Sequence, residues 1–312
     1  MRVPRCDKCG RPAVALLTYS GRHLCWEHFR ELFHKRVRRW LRRQWFLRRG
    51  MRVLVALSGG KDSGSALHVL NEEFGDRVEL LAISVDEGIR GFRERTLERA
   101  KEAAAREGVE HVIVSFREFY GVTTDDAARV LDRPPCSFCG VLRRKLLNVK
   151  AKELGADYIA LGTNLDDFSQ TVLMNVVKND IMKLARIGPH KLRIPGLVPR
   201  VFPLISIPES EVLTYALQEG IPFSEEVCPY KFLAVRGRFR KVLGYLESSI
   251  PGTRHSLLNF YMELRPFLGE RARGVRVGEC ERCGEPTSGR LCKACQLELE
   301  VKRLLGLPAE QD

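Results

Sequence analysis

The chain has 312 residues, 44% of them hydrophobic, enough to bury one large α/β core and carry small appendages. Lys and Arg outnumber Asp and Glu by 52 to 39, and the pI near 9.4 points to a polyanionic partner, nucleic acid first. No apolar run approaches the roughly 18 to 20 residues that cross a bilayer, and the opening residues lack the apolar core of a signal peptide. A cytoplasmic chain with no membrane association is expected. Thiols stay reduced there, so ten cysteines set mostly in Cys-x2-Cys pairs argue for metal ligation over disulfides.

Residues 1–30 hold Cys6-x2-Cys9, fifteen residues, then Cys25-x2-His28, with Gly10, Pro12 and Gly21 supplying turns. Two such pairs set Cys6, Cys9, Cys25 and His28 tetrahedrally around one zinc ion, and a segment this short has too little core to fold without it. His23 is off the spacing; the plainer reading is buried reduced thiols. From Lys35 to Arg52 basic residues interleave with Val37, Trp40, Leu41, Trp45, Phe46 and Leu47, which predicts one amphipathic linker helix (31–50). Arg38, Arg39, Arg42 and Arg43 are candidates to hold RNA phosphates, against the alternative of a solvated linker.

The catalytic domain is expected over 51–270. An apolar run, 53–57, leads into Ser58-Gly59-Gly60-Lys61-Asp62-Ser63, and helical spacing of Ala66, Leu67, Val69, Leu70 and Phe74 follows. Strand, glycine turn and helix N-terminus together present backbone amides and hydroxyls to an anion. The spacing is not that of a Walker loop; it resembles the SGGxDS loop of the PP-loop ATP pyrophosphatases, which cleave ATP to AMP and pyrophosphate. Strands at 78–85, 111–116 and 158–161 then alternate with helices at 93–106 and 141–154. That order predicts an α/β fold with a doubly wound parallel sheet, of the PP-loop or adenine nucleotide alpha-hydrolase-like kind, flanked by two small zinc modules. Asp86-Glu87-Gly88 and Gly162-Thr163-Asn164-Leu165-Asp166-Asp167 fall at the carboxyl edge of this sheet, although one of the two aspartates reads equally as a helix cap.

Pro134-Pro135-Cys136-Ser137-Phe138-Cys139-Gly140 supplies two more thiols and Glu226-Val227-Cys228 a third. Three thiolates can hold an iron–sulfur cluster with one iron open to an outside ligand. A persulfide relay is the competing chemistry, and spacing does not separate the two. The segment 271–312 closes with Cys280-x2-Cys283, eight residues, then Cys292-x2-Cys295, a four-cysteine zinc signature, and a last helix over 296–305. The two end modules read as a repeat of chemistry rather than of fold.

Taken together, these motifs resemble the TtuA and wobble-uridine branch of tRNA 2-thiouridine synthetases over nearly the whole chain. The resemblance implies ATP with magnesium, a [4Fe-4S] cluster on Cys136, Cys139 and Cys228, two zinc ions, a homodimer, tRNA as substrate and sulfur from a ubiquitin-like carrier protein. It also implies a nucleotide site at Ala56, Ser58, Gly59, Gly60, Asp62, Ser63, Ser84, Arg143 and Gly162, with Asp167, Arg143 and Lys61 as catalytic groups. On that reading the C2 oxygen of a tRNA uridine is adenylated and then replaced by sulfur. The target base, T-loop or wobble, stays open, as do a lysidine synthetase-like ligase and a persulfide-based thiolase as alternatives.

Overall fold

A computed structural model of the chain describes residues 4–44, 48–189, 195–272 and 278–309. Its first turn is closed by backbone bonds: Cys6 N–H donates to Arg11 O and Gly10 N–H to Cys6 O, both 2.8 Å, with Gly10 at φ 73°. The antiparallel pair β1 (Ala15–Leu17) and β2 (Arg22–Leu24) follows, and Cys25 caps helix α1 (Trp26–Arg43). The helix expected over the basic stretch is this one, with different limits. It starts inside the zinc module because Phe29 and Phe33 extend the apolar stripe of Val37, Trp40 and Leu41 backward, and all five are buried. Trp45, Phe46 and Leu47 lie outside the described residues, and Arg52 belongs to a strand. Phe33 stacks on Tyr215 at 3.8 Å, so the helix runs across position 30 and shares the core of the following domain.

Apolar alternation then builds the sheet from β3 (Arg52–Ala56), α2 (Lys61–Phe74), β4 (Glu79–Asp86), α3 (Arg93–Glu107), β5 (Glu110–Ser115), α4 (Phe116–Tyr120) and α5 (Thr124–Val130). The chain continues with α6 (Cys136–Glu153), β6 (Tyr158–Leu161), α7 (Leu165–Val177), α8 (Ile181–Arg186), β7 (Arg200–Val201) and α9 (Glu209–Glu219). All neighbouring strands are parallel, in the order β5-β4-β3-β6-β7. The chain therefore winds outward from β3 to β5, then restarts on the other side at β6. That reversal opens a crevice at the carboxyl ends of β3 and β6, where doubly wound sheets bind ligands.

Val53 and Val55 pack on one face against α2, α3, α9 and α1; Leu54 packs on the other against α6, the period-two signature of a strand buried on both sides. Helix α6 begins at Cys136, earlier than the helix expected at 141, because Pro134 and Pro135 set its start and place Cys136 and Cys139 on one turn.

Beyond a 3₁₀ turn at Pro229–Leu233, α10 (Arg236–Ser249) and α11 (Thr253–Ala272) pack beside α7 and α8. The chain ends in β8 (Gly278–Glu279), β9 (Pro286–Thr287) and α12 (Lys293–Leu304). This module shares with the first a knuckle turn and a closing helix, while the β1–β2 pair between the ligand pairs of the first has no counterpart among its described residues. Cys280 N–H donates to Glu285 O, Gly284 N–H donates to Cys280 O at φ 68°, and Cys292, at the N-cap position that Cys25 holds in the first module, accepts from Cys295 N–H through its thiol. No helix among the described residues is long and apolar enough to cross a membrane.

Candidate functional site

The crevice is lined first by the loop between β3 and α2. Gly59 has φ 82°, and a Cβ there would lie 1.8 Å from Thr96 O, so only glycine fits. Gly60, at the N-terminus of α2, contributes no side-chain cap and leaves the first-turn amides open to an anion. Ser58 and Ser63 hold the loop shut through a 3.0 Å hydroxyl contact, and Ser63 also donates to Gly60 O. Ala56 ends β3 beside Leu161, and a Cβ on Gly162 would meet Ser63 N at 2.7 Å, so β6 abuts the loop directly. These features fit the phosphates of a nucleotide. Ser84 is fully buried instead, its hydroxyl donating to Leu57 O at 2.5 Å and lying 2.7 Å from His111 Nε2. Its side chain braces the strand below the loop.

The acidic pair after β6 divides its work. Asn164 caps α7 by accepting from Asp167 N–H, and its amide donates to Asp62 at 2.9 Å. Asp166 accepts from Glu209 N–H and pairs with Arg254 at 2.9 Å. Asp167 keeps a half-buried carboxyl 3.8 Å from Arg236. Burial, reinforced by Asp62, Glu209 and Asp166 and opposed by Arg236, raises it to about 6. Lys61 Nζ lies 3.0 Å from both Asp62 and Glu209; burial works against its charge, yet these carboxylates hold its pKa above the ordinary lysine range.

On the far wall, Cys136 Sγ lies 3.5 Å from Tyr230 O, in the turn that follows Cys228, so α6 and this turn bring the three thiols to one end of the crevice. Ser224 N–H donates to Gly59 O at 2.8 Å, which ties the Cys228 segment to the phosphate loop. Burial, with Glu87 beside it, raises the Cys139 thiol to about 11. Among the described residues the ligand atoms of each end module gather within 4.8 Å, and those of Cys136, Cys139 and Cys228 do not. Tetrahedral zinc with bonds of about 2.3 Å sets its sulfurs roughly 3.8 Å apart. That matches Cys9–Cys25 at 3.6 Å and Cys283–Cys292 at 3.7 Å. The wider triad suits a polynuclear cluster bonded at separate corners.

The arginine that joins these walls escaped the sequence reading. Buried Arg93 donates to Ser58 O at 3.1 Å and lies 2.8 Å from Glu87, while Arg143 reaches the other oxygen of Glu87 at 3.1 Å. Glu87 thus links the phosphate loop to the helix that carries Cys136 and Cys139. Nothing in the sequence distinguishes Arg93 from a solvent-facing arginine at a helix start. Glu209 likewise enters from a distant helix to hold Lys61. Of the four arginines singled out on α1, Arg38 pairs with Glu73 at 2.6 Å and Arg43 lies over Trp40, while Arg39, Arg42 and Arg43 are exposed.

A PP-loop domain profile matches residues 30–245, and the N-terminal LIM domain profile of 2-thiouridine synthetase TtuA matches residues 5–30. The chain is 40% identical to tRNA 2-thiolation protein NcsA of Haloferax volcanii, covering 94% of this chain and 97% of that one. It is 36% identical to tRNA-5-methyluridine(54) 2-sulfurtransferase of Thermus thermophilus, over 94% of this chain and 90% of the other. The U34-tRNA thiolase NcsA of Methanococcus maripaludis, solved with its [4Fe-4S] cluster, superposes with a TM-score of 0.81 at 35% identity, covering 95% and 96% of the two chains. A lysidine synthetase-like ligase is not favoured by these relatives. With a phosphate loop and a thiol triad in one crevice and such likeness along its whole length, the chain belongs to the TtuA family of PP-loop tRNA 2-thiouridine synthetases.

Proposed function

We propose that this protein adenylates the C2 oxygen of a tRNA uridine with ATP and replaces that oxygen with sulfur, releasing AMP and pyrophosphate. The observation that carries the reading is the Arg93–Glu87–Arg143 link, which ties the phosphate loop to the helix that carries Cys136 and Cys139. Loop amides at Gly60 and the first turn of α2 hold the phosphates, and magnesium accompanies the nucleotide. Lys61 and Arg143 offset the charge of the departing pyrophosphate, and Asp167 accepts the N3 proton of the uracil as O2 attacks the α-phosphate, then returns it when sulfur displaces AMP from C2. A [4Fe-4S] cluster held by Cys136, Cys139 and Cys228 would supply an open iron at which sulfur is received.

Two zinc ions belong in the end modules, whose sulfur spacings support them. A ubiquitin-like carrier protein supplies the sulfur. Phe232, Tyr245, Phe260 and Phe267 are exposed on the 3₁₀ turn, α10 and α11, and they support a homodimer as the working state, in the cytoplasm. The flipped uridine needs an RNA grip outside the crevice, and α1 supplies exposed arginines for it.

The test is an anaerobic reaction of cluster-loaded protein with ATP, sulfide and tRNA, followed by mass spectrometry of the nucleosides mapped to position 34 or 54. One AMP per 2-thiouridine is expected. AMP formed without any thiolated nucleoside would refute the reading. Full thiolation by iron-free protein, with a persulfide trapped on one of the three cysteines, would replace the cluster by the relay.

A further inference from the structure

Arg143 and Arg144 are neighbours on α6, yet they have opposite surroundings. Arg143 is committed to Glu87. Arg144 stands about 100° round the helix, and its Nη1 lies 3.4 Å from where a Cβ on Gly140 would be, folded back toward the cysteine end. Arg200 opens the edge strand β7 opposite Ile159, so its side chain leaves the sheet on the face where Ile159 packs under α6. Among the described residues no carboxylate pairs with either Arg144 or Arg200. Buried carboxylates serve Arg93, Arg36 and Arg254.

The charge that bears on Arg200 is Arg144 itself: burial and that repulsion bring Arg200 down to about 10, and crowding, with Arg143 beside it, lowers Arg144 as well. Val198 N–H donates to Asn148 Oδ1 at 2.9 Å, which sets the start of β7 against α6 one helical turn from Arg144. Arg144 is exposed and Arg200 partly so, and two neighbouring guanidinium groups with no carboxylate partner among the described residues attract an anion. Paired guanidinium forks suit a phosphate oxygen set. The nucleotide's phosphates are a poor fit. Their loop follows β3, two strands and roughly 10 Å from β7, and the helix it starts, α2, covers the opposite face of the sheet.

We propose that Arg144 and Arg200 together grip one backbone phosphate of the tRNA, beside the nucleotide presented to Cys136 and Cys139. The inference rests on the tRNA-thiolation reading and adds where the RNA is held at the site. It also separates adjacent arginines by role, Arg143 on the nucleotide side through Glu87 and Arg144 on the RNA side.

The experiment measures binding of labelled tRNA to cluster-loaded protein over a range of salt, for Arg144→Gln, Arg200→Gln and the double change, with ATP binding measured in parallel. Each single change should weaken tRNA binding roughly fivefold. The double change should add little and flatten the salt slope by roughly 0.7 to 0.9, the worth of one phosphate rather than two. Lysine replacements should recover part of the affinity, and the visible absorption of the cluster checks that each variant is folded. An unchanged affinity and slope in the double variant would overturn the proposal. A loss of ATP affinity as large as the loss for tRNA would overturn it too, by placing the nucleotide between the arginines. If wild-type protein itself fails to bind tRNA, the thiolation reading falls first.

Discussion

Asp166 and Asp167 are adjacent in sequence and separated in chemistry. Asp166 spends both oxygens on Glu209 N–H and Arg254, which fixes α9 against α7, whereas Asp167 faces the crevice with Arg236 as its nearest cation. Burial raises Asp167 to about 6, so the folded chain favours its protonated form. That preference is fully present below about pH 4, the ordinary aspartate range, and is lost as pH rises through about 6. Asp167→Asn should therefore be more stable than wild type above pH 6 and no more stable below pH 4, as read by thermal melts at both ends. If Asp167 takes the N3 proton, kcat/KM for thiolation should rise through a limb near pH 6. The Asn variant should lose that limb along with roughly 10²- to 10⁴-fold in rate. A limb that persists in the variant assigns it to another group.

Helix α1 shows how one element serves two purposes. Its inner face buries Phe29, Phe33 and Val37, and its flanks form ion pairs from Arg30 to Glu72 and Glu219 and from Arg36 to Glu211. Arg39, Arg42 and Arg43 remain exposed, and Arg38 is half-buried on Glu73. Changing Arg39, Arg42 and Arg43 to Gln should weaken tRNA binding and flatten its salt dependence by roughly 0.7 to 0.9 per lost contact, with ATP binding unaffected. Arg38→Gln should instead mainly lower stability, by about 1 kcal/mol, because it leaves Glu73 with one partner fewer. Salt titrations of both variants check the division; an unchanged slope in the triple variant returns the exposed face to plain solvation.

Across the whole molecule, the two end modules are docked rather than appended. The first shares its core with α2 and α9. The second lies on α6, where Lys145 donates to Cys295 Sγ at 3.3 Å and Asn148 and Lys152 both bond Glu285. Zinc in these modules is therefore expected to stabilise the domain as well as the knuckles. Protein purified without oxygen should carry two zinc ions and one four-iron cluster per chain by elemental analysis. Cys280→Ser should lose one zinc and lower Tm by on the order of 10 °C, while Cys136→Ala should keep both zinc ions and its melting temperature but lose iron. Two zinc ions retained in Cys280→Ser would remove the ligand assignment.

Local chemistry was written into the sequence wherever one short segment supplies it. The Ser58–Ser63 loop, the Cys-x2-Cys spacings and the alternating strands each act through neighbours in the chain, so their residue types and intervals suffice to read the fold class and the candidate ligands. The limits of α1 and α6 were not legible. Charges masked the apolar stripe of the first, and whether two prolines start a helix or extend a loop depends on what the helix packs against. Pairings across long separations were invisible for the same reason. Arg93 with Glu87, Lys61 with Glu209 and the neighbouring Arg144 and Arg200 come from segments whose composition alone looks solvated. Whether an ionisable side chain is a surface charge or part of a site depends on its burial and counter-charges, and only the packing of β7, α3, α6 and α9 around the crevice decided those.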